Sequence, residues 1–135
     1  MENNKYYTPE IGEFRVGFEY EYGLPKEGQV EWNTDTFGKI IRSVFELEWL
    51  IKNKNIRVKF LDAQDIEELG FKEDTLRSIP GIRGCFNKEP YTIVIFSNNK
   101  IMIRNMEYDI NPVIYQGTIL NKSELIFILK RIGVL

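Results

Sequence analysis

The chain has 135 residues, a net charge of −2, and is 43% hydrophobic and 13% aromatic. That length and apolar content suit a folded domain with a real core and exclude a disordered chain. There is no histidine and one cysteine, Cys85, which excludes Ser-His-Asp and Cys-His catalysis, histidine-based zinc sites and an internal disulfide.

Carboxylate, lysine, arginine and hydroxyl chemistry remain. The near-neutral charge gives no general attraction to nucleic acid or to an anionic membrane. No segment reaches the roughly 20 consecutive apolar residues that span a bilayer. The first residues, Met1 to Tyr7, lack the apolar core of a signal peptide. With a single thiol, these features point to a protein of the reducing cytoplasm, and no cofactor is called for.

Residues 1–12 read as an irregular N-terminal arm. Residues 13–22, EFRVGFEYEY, alternate: Phe14, Val16, Phe18, Tyr20 and Tyr22 share one face of a predicted strand. Residues 24–28 read as a loop, followed by a short strand through Val30 and Trp32. Residues 35–52 place Phe37, Ile40, Ile41, Val44, Phe45, Leu47 and Ile51 near helical spacing, with Thr34 or Asp35 as the cap. IRVKFL (56–61) alternates as a strand. Asp62 or Asp65 then caps a short helix that Gly70 stops.

Residues 71–90 are the least regular stretch. YTIVIFS (91–97), the pair Asn98-Asn99 and KIMIRN (100–105) read as a β-hairpin. VIYQGTI (113–119) is a last strand. Asn121 and Glu124 then open a C-terminal helix through Ile132. The expected fold is one α+β domain over residues 1–135. Its sheet is mostly antiparallel, with five or six strands covered by two main helices, the last at the C-terminus.

Three stretches, YYTPEIGEFRVGFEYEY, NIRVKFLDAQDIEELGF and QGTILNKSELIFILKRIGV, span most of the chain in order. On them the chain resembles a family of short proteins of gut-type bacteria and of their phages and mobile elements. That resemblance implies no particular activity. LDAQDIEELGF is also similar to the middle of a sterile-alpha-motif domain. That module is all helical, and the alternating IRVKF before it argues instead for a strand.

Four groups of residues are candidates for function. Glu19 and Glu21 share one strand face, where two carboxylates suit a metal-dependent hydrolase. Arg57 and Lys59 on a neighbouring strand would instead make them a solvated, ion-paired face, and this reading is preferred. Asp62, Asp65, Glu67 and Glu68 lack the layout of a calcium loop and read as helix capping. Lys72, Arg77, Arg83, Phe86 and Lys88 combine basic groups with an aromatic ring in the irregular stretch 72–91. That combination suits nucleic acid or a nucleotide. Cys85, beside Arg83, reads as a spectator thiol.

The fourth group lies on the last helix. Leu125, Ile128, Leu129 and Ile132 form its core stripe, and Phe127 points away from them beside Lys130 and Arg131. The family resemblance leads one to expect polar residues where Ile126 and Phe127 stand, so these four positions, Ile126, Phe127, Lys130 and Arg131, are candidates for protein contact. The leading expectation is a non-enzymatic interaction protein that meets a partner protein or a second copy. The rivals are the nucleic-acid or nucleotide module and the carboxylate hydrolase.

Overall fold

The computed structural model describes residues 5–39, 42–74, 80–107, 110 and 112–135. It is α+β, with antiparallel pairing throughout and a helix at the C-terminus. The strands expected in one sheet are shared between two, in compact units of Met1–Phe60 and Leu61–Leu135. Alternation along a strand shows which residues face a core, but not which core they face.

The first unit is a four-stranded sheet, β1 (Tyr6–Tyr7), β2 (Glu19–Lys26), β3 (Gln29–Thr36) and β4 (Ile56–Lys59), in the order β1-β4-β2-β3. Strands β2 and β3 form a hairpin that pairs Lys26 with Gln29. Its two turn residues, Glu27 and Gly28, both have positive φ, 51° and 79°, as tight two-residue hairpins require. What reads as a loop at 24–28 is therefore the tip of a long ribbon. One face of the sheet carries Phe18, Tyr20, Ile56 and Val58 into a core shared with Leu47 and Leu50 of α1 (Val44–Lys52).

Three expectations are corrected here. The arm is not wholly irregular, because Tyr6 and Tyr7 pair with Lys59 and Val58 of β4. The strand expected from Glu13 is β2 and begins at Glu19, and Val16 is 83% exposed. Gly17, at φ +96°, breaks the extended run and donates its N–H to the Phe37 carbonyl. Helix α1 begins after Ser43, whose hydroxyl accepts from the Glu46 N–H. Thr34 and Asp35, the expected caps, belong to β3, and Ile40 and Ile41 lie outside the described residues.

The second unit is a five-stranded antiparallel meander. Its strands are β5 (Lys72–Glu73), β6 (Ile82–Lys88), β7 (Tyr91–Phe96), β8 (Lys100–Asn105) and β9 (Val113–Thr118). Ile93, Ile95, Ile101 and Ile103 pack with Phe86, Ile66 of α2 (Ala63–Glu68), and Leu125 and Leu129 of α3 (Lys122–Arg131). The expected hairpin turns at Asn99, which takes φ 68°. Asp62 and Asp65 cap α2 reciprocally. The Asn121 side chain, 3% exposed, caps α3 by accepting from the Glu124 N–H at 2.8 Å. Among the described residues, no helix is long and apolar enough to cross a membrane.

Candidate functional site

Helix α1 is apolar on more than one side. Leu47 and Leu50 are buried, at 2% and 7% exposure. Phe45 and Trp49 lie four residues apart, so they stack along one face. At about 100° per residue that face is opposite the buried pair. They are 83% and 58% exposed, and Val44 beside them is 59% exposed. Glu48 lies one turn beyond Phe45 on the same side and is exposed, as is Glu46 in the first turn.

A buried polar network holds this helix in place. The Tyr20 hydroxyl donates to Asp35 Oδ2 at 2.6 Å, and Arg42 Nε donates to the same hydroxyl at 2.9 Å. Arg42 Nε also lies 3.4 Å from Asp35 Oδ2, and its Nη1 meets Glu46 Oε2 at 2.6 Å. The guanidinium rests 4.5 Å from the Tyr22 ring centre. Arg42 stands just before the N-cap Ser43, so one side chain joins β2, β3 and the first turn of α1.

Electrostatics follow from that geometry. Burial, and then the bond to Asp35, push the Tyr20 phenol up to about 12. Burial alone would raise the Asp35 carboxyl, but bonds from Tyr20, the Thr36 N–H and Arg42 outweigh it and hold the carboxyl below its ordinary value. The phenol is therefore neutral and the carboxylate fully engaged, which makes the cluster a structural clamp.

The opposite face of the first sheet carries Glu21. Across the β2–β4 register Glu21 faces Arg57, and Arg57 Nε and Nη2 each approach Glu21 Oε1 at 2.8 Å. The Arg57 guanidinium lies between the rings of Tyr6 and Trp32, at 3.7 and 4.1 Å from their centres. Trp32 crosses Gly23, where any Cβ would stand 2.6 Å from Val30 Cγ1 and 3.3 Å from the indole. Glu21 is thus half of an ion pair. Among the described residues no group of three or more acidic, histidine or cysteine side chains is placed to hold a metal.

Among the described residues, the basic and aromatic side chains expected on a loop at 72–91 stand on strands β5, β6 and β7. Phe86 is 2% exposed in the core of the second unit, so its ring is not offered for stacking. Arg83 donates to Asn99 Oδ1 and to the Leu61 carbonyl. Lys88 donates to the Leu69 carbonyl and sits 5.7 Å from the Phe71 ring centre. These two cations stand five residues apart on β6, roughly 17 Å along a strand. Lys72 is exposed on β5, and Arg77 lies outside the described residues. The misreading came from the glycines, since Gly84 is a strand position lying against the Phe86 ring rather than a turn. Cys85 is buried at 6% exposure.

Asp62 and Asp65 are capping groups, and Glu68 meets Lys122 at 2.6 Å. On α3, Leu125 and Leu129 are buried, and Ile128 and Ile132 pack beside them. Phe127 is 39% exposed, with the Arg131 guanidinium 5.7 Å from its ring centre. Lys130 is exposed and Ile126 half-buried. A cleft of about 450 Å³ at the β6–β7 turn is lined by Asn87, Glu89, Tyr91, Thr92, Met106 and Glu107. Within it the Thr92 hydroxyl donates to Asn87 Oδ1.

Sequence reasoning missed α1 as a surface. It counted Phe45 with the core, because a helix begun at residue 35 gives no sharp phase. Phasing on Leu47 and Leu50 alone would have put Phe45 and Trp49 on the far side.

The molecule these features define is an α+β protein of two antiparallel sheets, with aromatic side chains displayed on two of its helices. Comparison of the chain with protein-family models, with curated proteins and with solved structures found no match.

Proposed function

We propose that this chain is a non-enzymatic interaction protein that works by protein contact, with the exposed face of α1 as its principal surface. The observation that carries this reading is the Phe45–Trp49 pair. Two large aromatic rings, 83% and 58% exposed, stand on a helix seated by a buried arginine. Isolated exposed apolar residues are ordinary, but adjacent aromatics on a rigid element are the usual material of binding hot spots. Glu48 and Lys52 border the rings with one exposed charge of each sign, while Glu46 is held by Arg42, so the apolar rings rather than a net charge define the surface.

The lone, buried thiol suits a reducing cytoplasm. The resemblance of the three sequence stretches to proteins of phages and mobile elements suits an accessory protein that acts on a host or sister protein. The test is a photo-crosslinking amino acid placed at position 45 in the native cell, with position 29 on the hairpin as control. The expected result is a discrete protein adduct from position 45 that Trp49→Ser abolishes. Equal adducts from both positions overturn the reading.

A further inference from the structure

We propose that the free edge of the first sheet is an interface between two copies of this chain, β3 pairing antiparallel with β3. This surface is separate from the α1 face and stands on different residues.

The edge follows from the hairpin. Its two-residue turn makes Lys26 and Gln29 a hydrogen-bonded pair. Such pairs alternate along the ladder, so Gln29, Glu31, Asn33 and Asp35 turn their backbone groups toward β2. Val30, Trp32, Thr34 and Thr36 turn theirs outward. The Thr36 N–H goes to Asp35 Oδ1, and its carbonyl accepts from the Lys39 N–H. Among the described residues, no backbone bond reaches the outward groups of Val30, Trp32 and Thr34. β3 is the last strand of its sheet.

Other edges are guarded where this one is open. β1 and β5 have two residues each, and the pairing that holds β9 shifts register between Ile103 and Arg104. β3 has eight residues, QVEWNTDT, with no proline, no lysine and no shift in its pairing with β2. Short length, bulges, proline and lysine are the devices that keep sheet edges apart. The two acids of β3 are engaged within the chain, Glu31 with Lys26 at 3.0 Å and Asp35 with Arg42 and Tyr20.

A second copy fits this edge in one register. The three outward residues are all satisfied only when Trp32 meets Trp32 on a two-fold axis and Val30 meets Thr34 on either side. Each of these pairs exchanges two backbone bonds. Glu31 then stands opposite Asn33, a carboxylate acceptor beside an amide donor. Shifting the axis to Glu31 opposes like charges and leaves Thr34 without a strand partner. Shifting it to Asn33 sets Glu31 against Asp35 and Val30 against Thr36, whose groups are taken. The chosen register also covers Val30, which is 51% exposed.

The contact is isologous and closes at two copies, because each β3 is then used up. One strand pair is small beside the roughly 1,200 Å² of a stable interface, so the dimer is weak and forms as concentration rises.

The test has two parts, both on the intact chain. Sedimentation equilibrium from about 10 µM to 1 mM covers weak affinities. Wild type is expected to rise toward twice the chain mass and no further. Thr34→Pro removes an outward N–H, a change that an edge strand tolerates, and is expected to stay monomeric with an unchanged circular dichroism spectrum. The second part reads the register in a Cys85→Ser background. Glu31→Cys and Asn33→Cys, mixed under mild oxidation, place two thiols on strand positions about 4.5 Å apart. Either variant alone places them on a diagonal of about 7–8 Å, too far for a disulfide. The mixture is expected to cross-link faster than either variant alone. A wild type that stays monomeric, a Thr34→Pro chain that still dimerises, or a mixture no faster than its components overturns the proposal. So does a monomeric chain whose β3 instead takes up a foreign extended peptide. A doubled chain cross-linked from position 29 belongs to this contact and a foreign protein from position 45 to α1, so either reading can fail alone.

Discussion

Arg42 Nε hydrogen-bonds the phenolic oxygen of Tyr20 at 2.9 Å, across 22 positions of chain. Through that bond the residue before the α1 cap is tied to β2, and the Asp35 carboxylate is held between the two. The Arg42 and Asp35 side chains are 10% and 6% exposed. Removing one member of such a pair leaves a charge buried without its counterion. Arg42→Met is therefore expected to cost about 3 kcal/mol of stability. Urea unfolding followed by tryptophan fluorescence should show a lower midpoint with little change in slope.

The same cluster sets a pH dependence. The folded phenol of Tyr20 ionises at about 12 against an ordinary value of 10.0. Its contribution is complete below the unfolded value and is lost as the pH climbs from about 10 to 12. The Asp35 carboxyl is shifted the other way. Its contribution is present above the ordinary carboxylate range and is lost as the pH falls through the lowered folded value. Thermal unfolding across the alkaline range should show a falling midpoint in wild type and a flatter limb in Tyr20→Phe. A parallel limb in the variant would assign the loss elsewhere.

Arg57→Lys is expected to be a poor exchange despite the retained charge. The planar guanidinium fills the space between Tyr6 and Trp32 while holding Glu21 with two nitrogens, and an ammonium has neither shape nor fork. The site is partly exposed, so the loss should be moderate, about 1 kcal/mol. A change in Trp32 emission should accompany it, measured with Trp49 replaced by phenylalanine.

Core and surface substitutions should separate cleanly. Ile93 and Leu125 are fully buried in the second unit. Truncation of either to alanine is expected to cost about 2–5 kcal/mol. Phe45→Ser and Trp49→Ser lie on the exposed side of α1 and should change stability by no more than about 0.5 kcal/mol. Chemical denaturation of all four decides this. A large loss from Phe45→Ser would mean that its ring is part of the packing.

Much of the second unit was legible in the sequence. Period-two runs bounded by Asn98-Asn99 and by Asn121 gave β7, β8, β9 and α3 their places, because each local signal agrees with the tertiary fold. The first unit was harder to read. Its alternation begins before the strand does, since Gly17 takes a positive φ that the pattern cannot reveal. Its helix was drawn too long because Phe37 and the residues after it mimic helical spacing. The clamp of Tyr20, Asp35 and Arg42 left no local trace, since its members lie 7 to 22 positions apart. The stretch 71–90 reads as irregular for a related reason: Gly84 looks like a turn residue but is a strand position that lies against a buried ring.

Both tryptophans, Trp32 and Trp49, belong to the first unit, and the single thiol, Cys85, is buried in a strand of the second. The natural sequence thus carries a separate probe for each half, without any label being added. Indole emission follows the melting of residues 1–60, and the rate at which a thiol reagent reaches Cys85 follows the opening of residues 61–135. Matching free energies from the two probes would mark one cooperative transition, and differing ones would give each sheet a stability of its own.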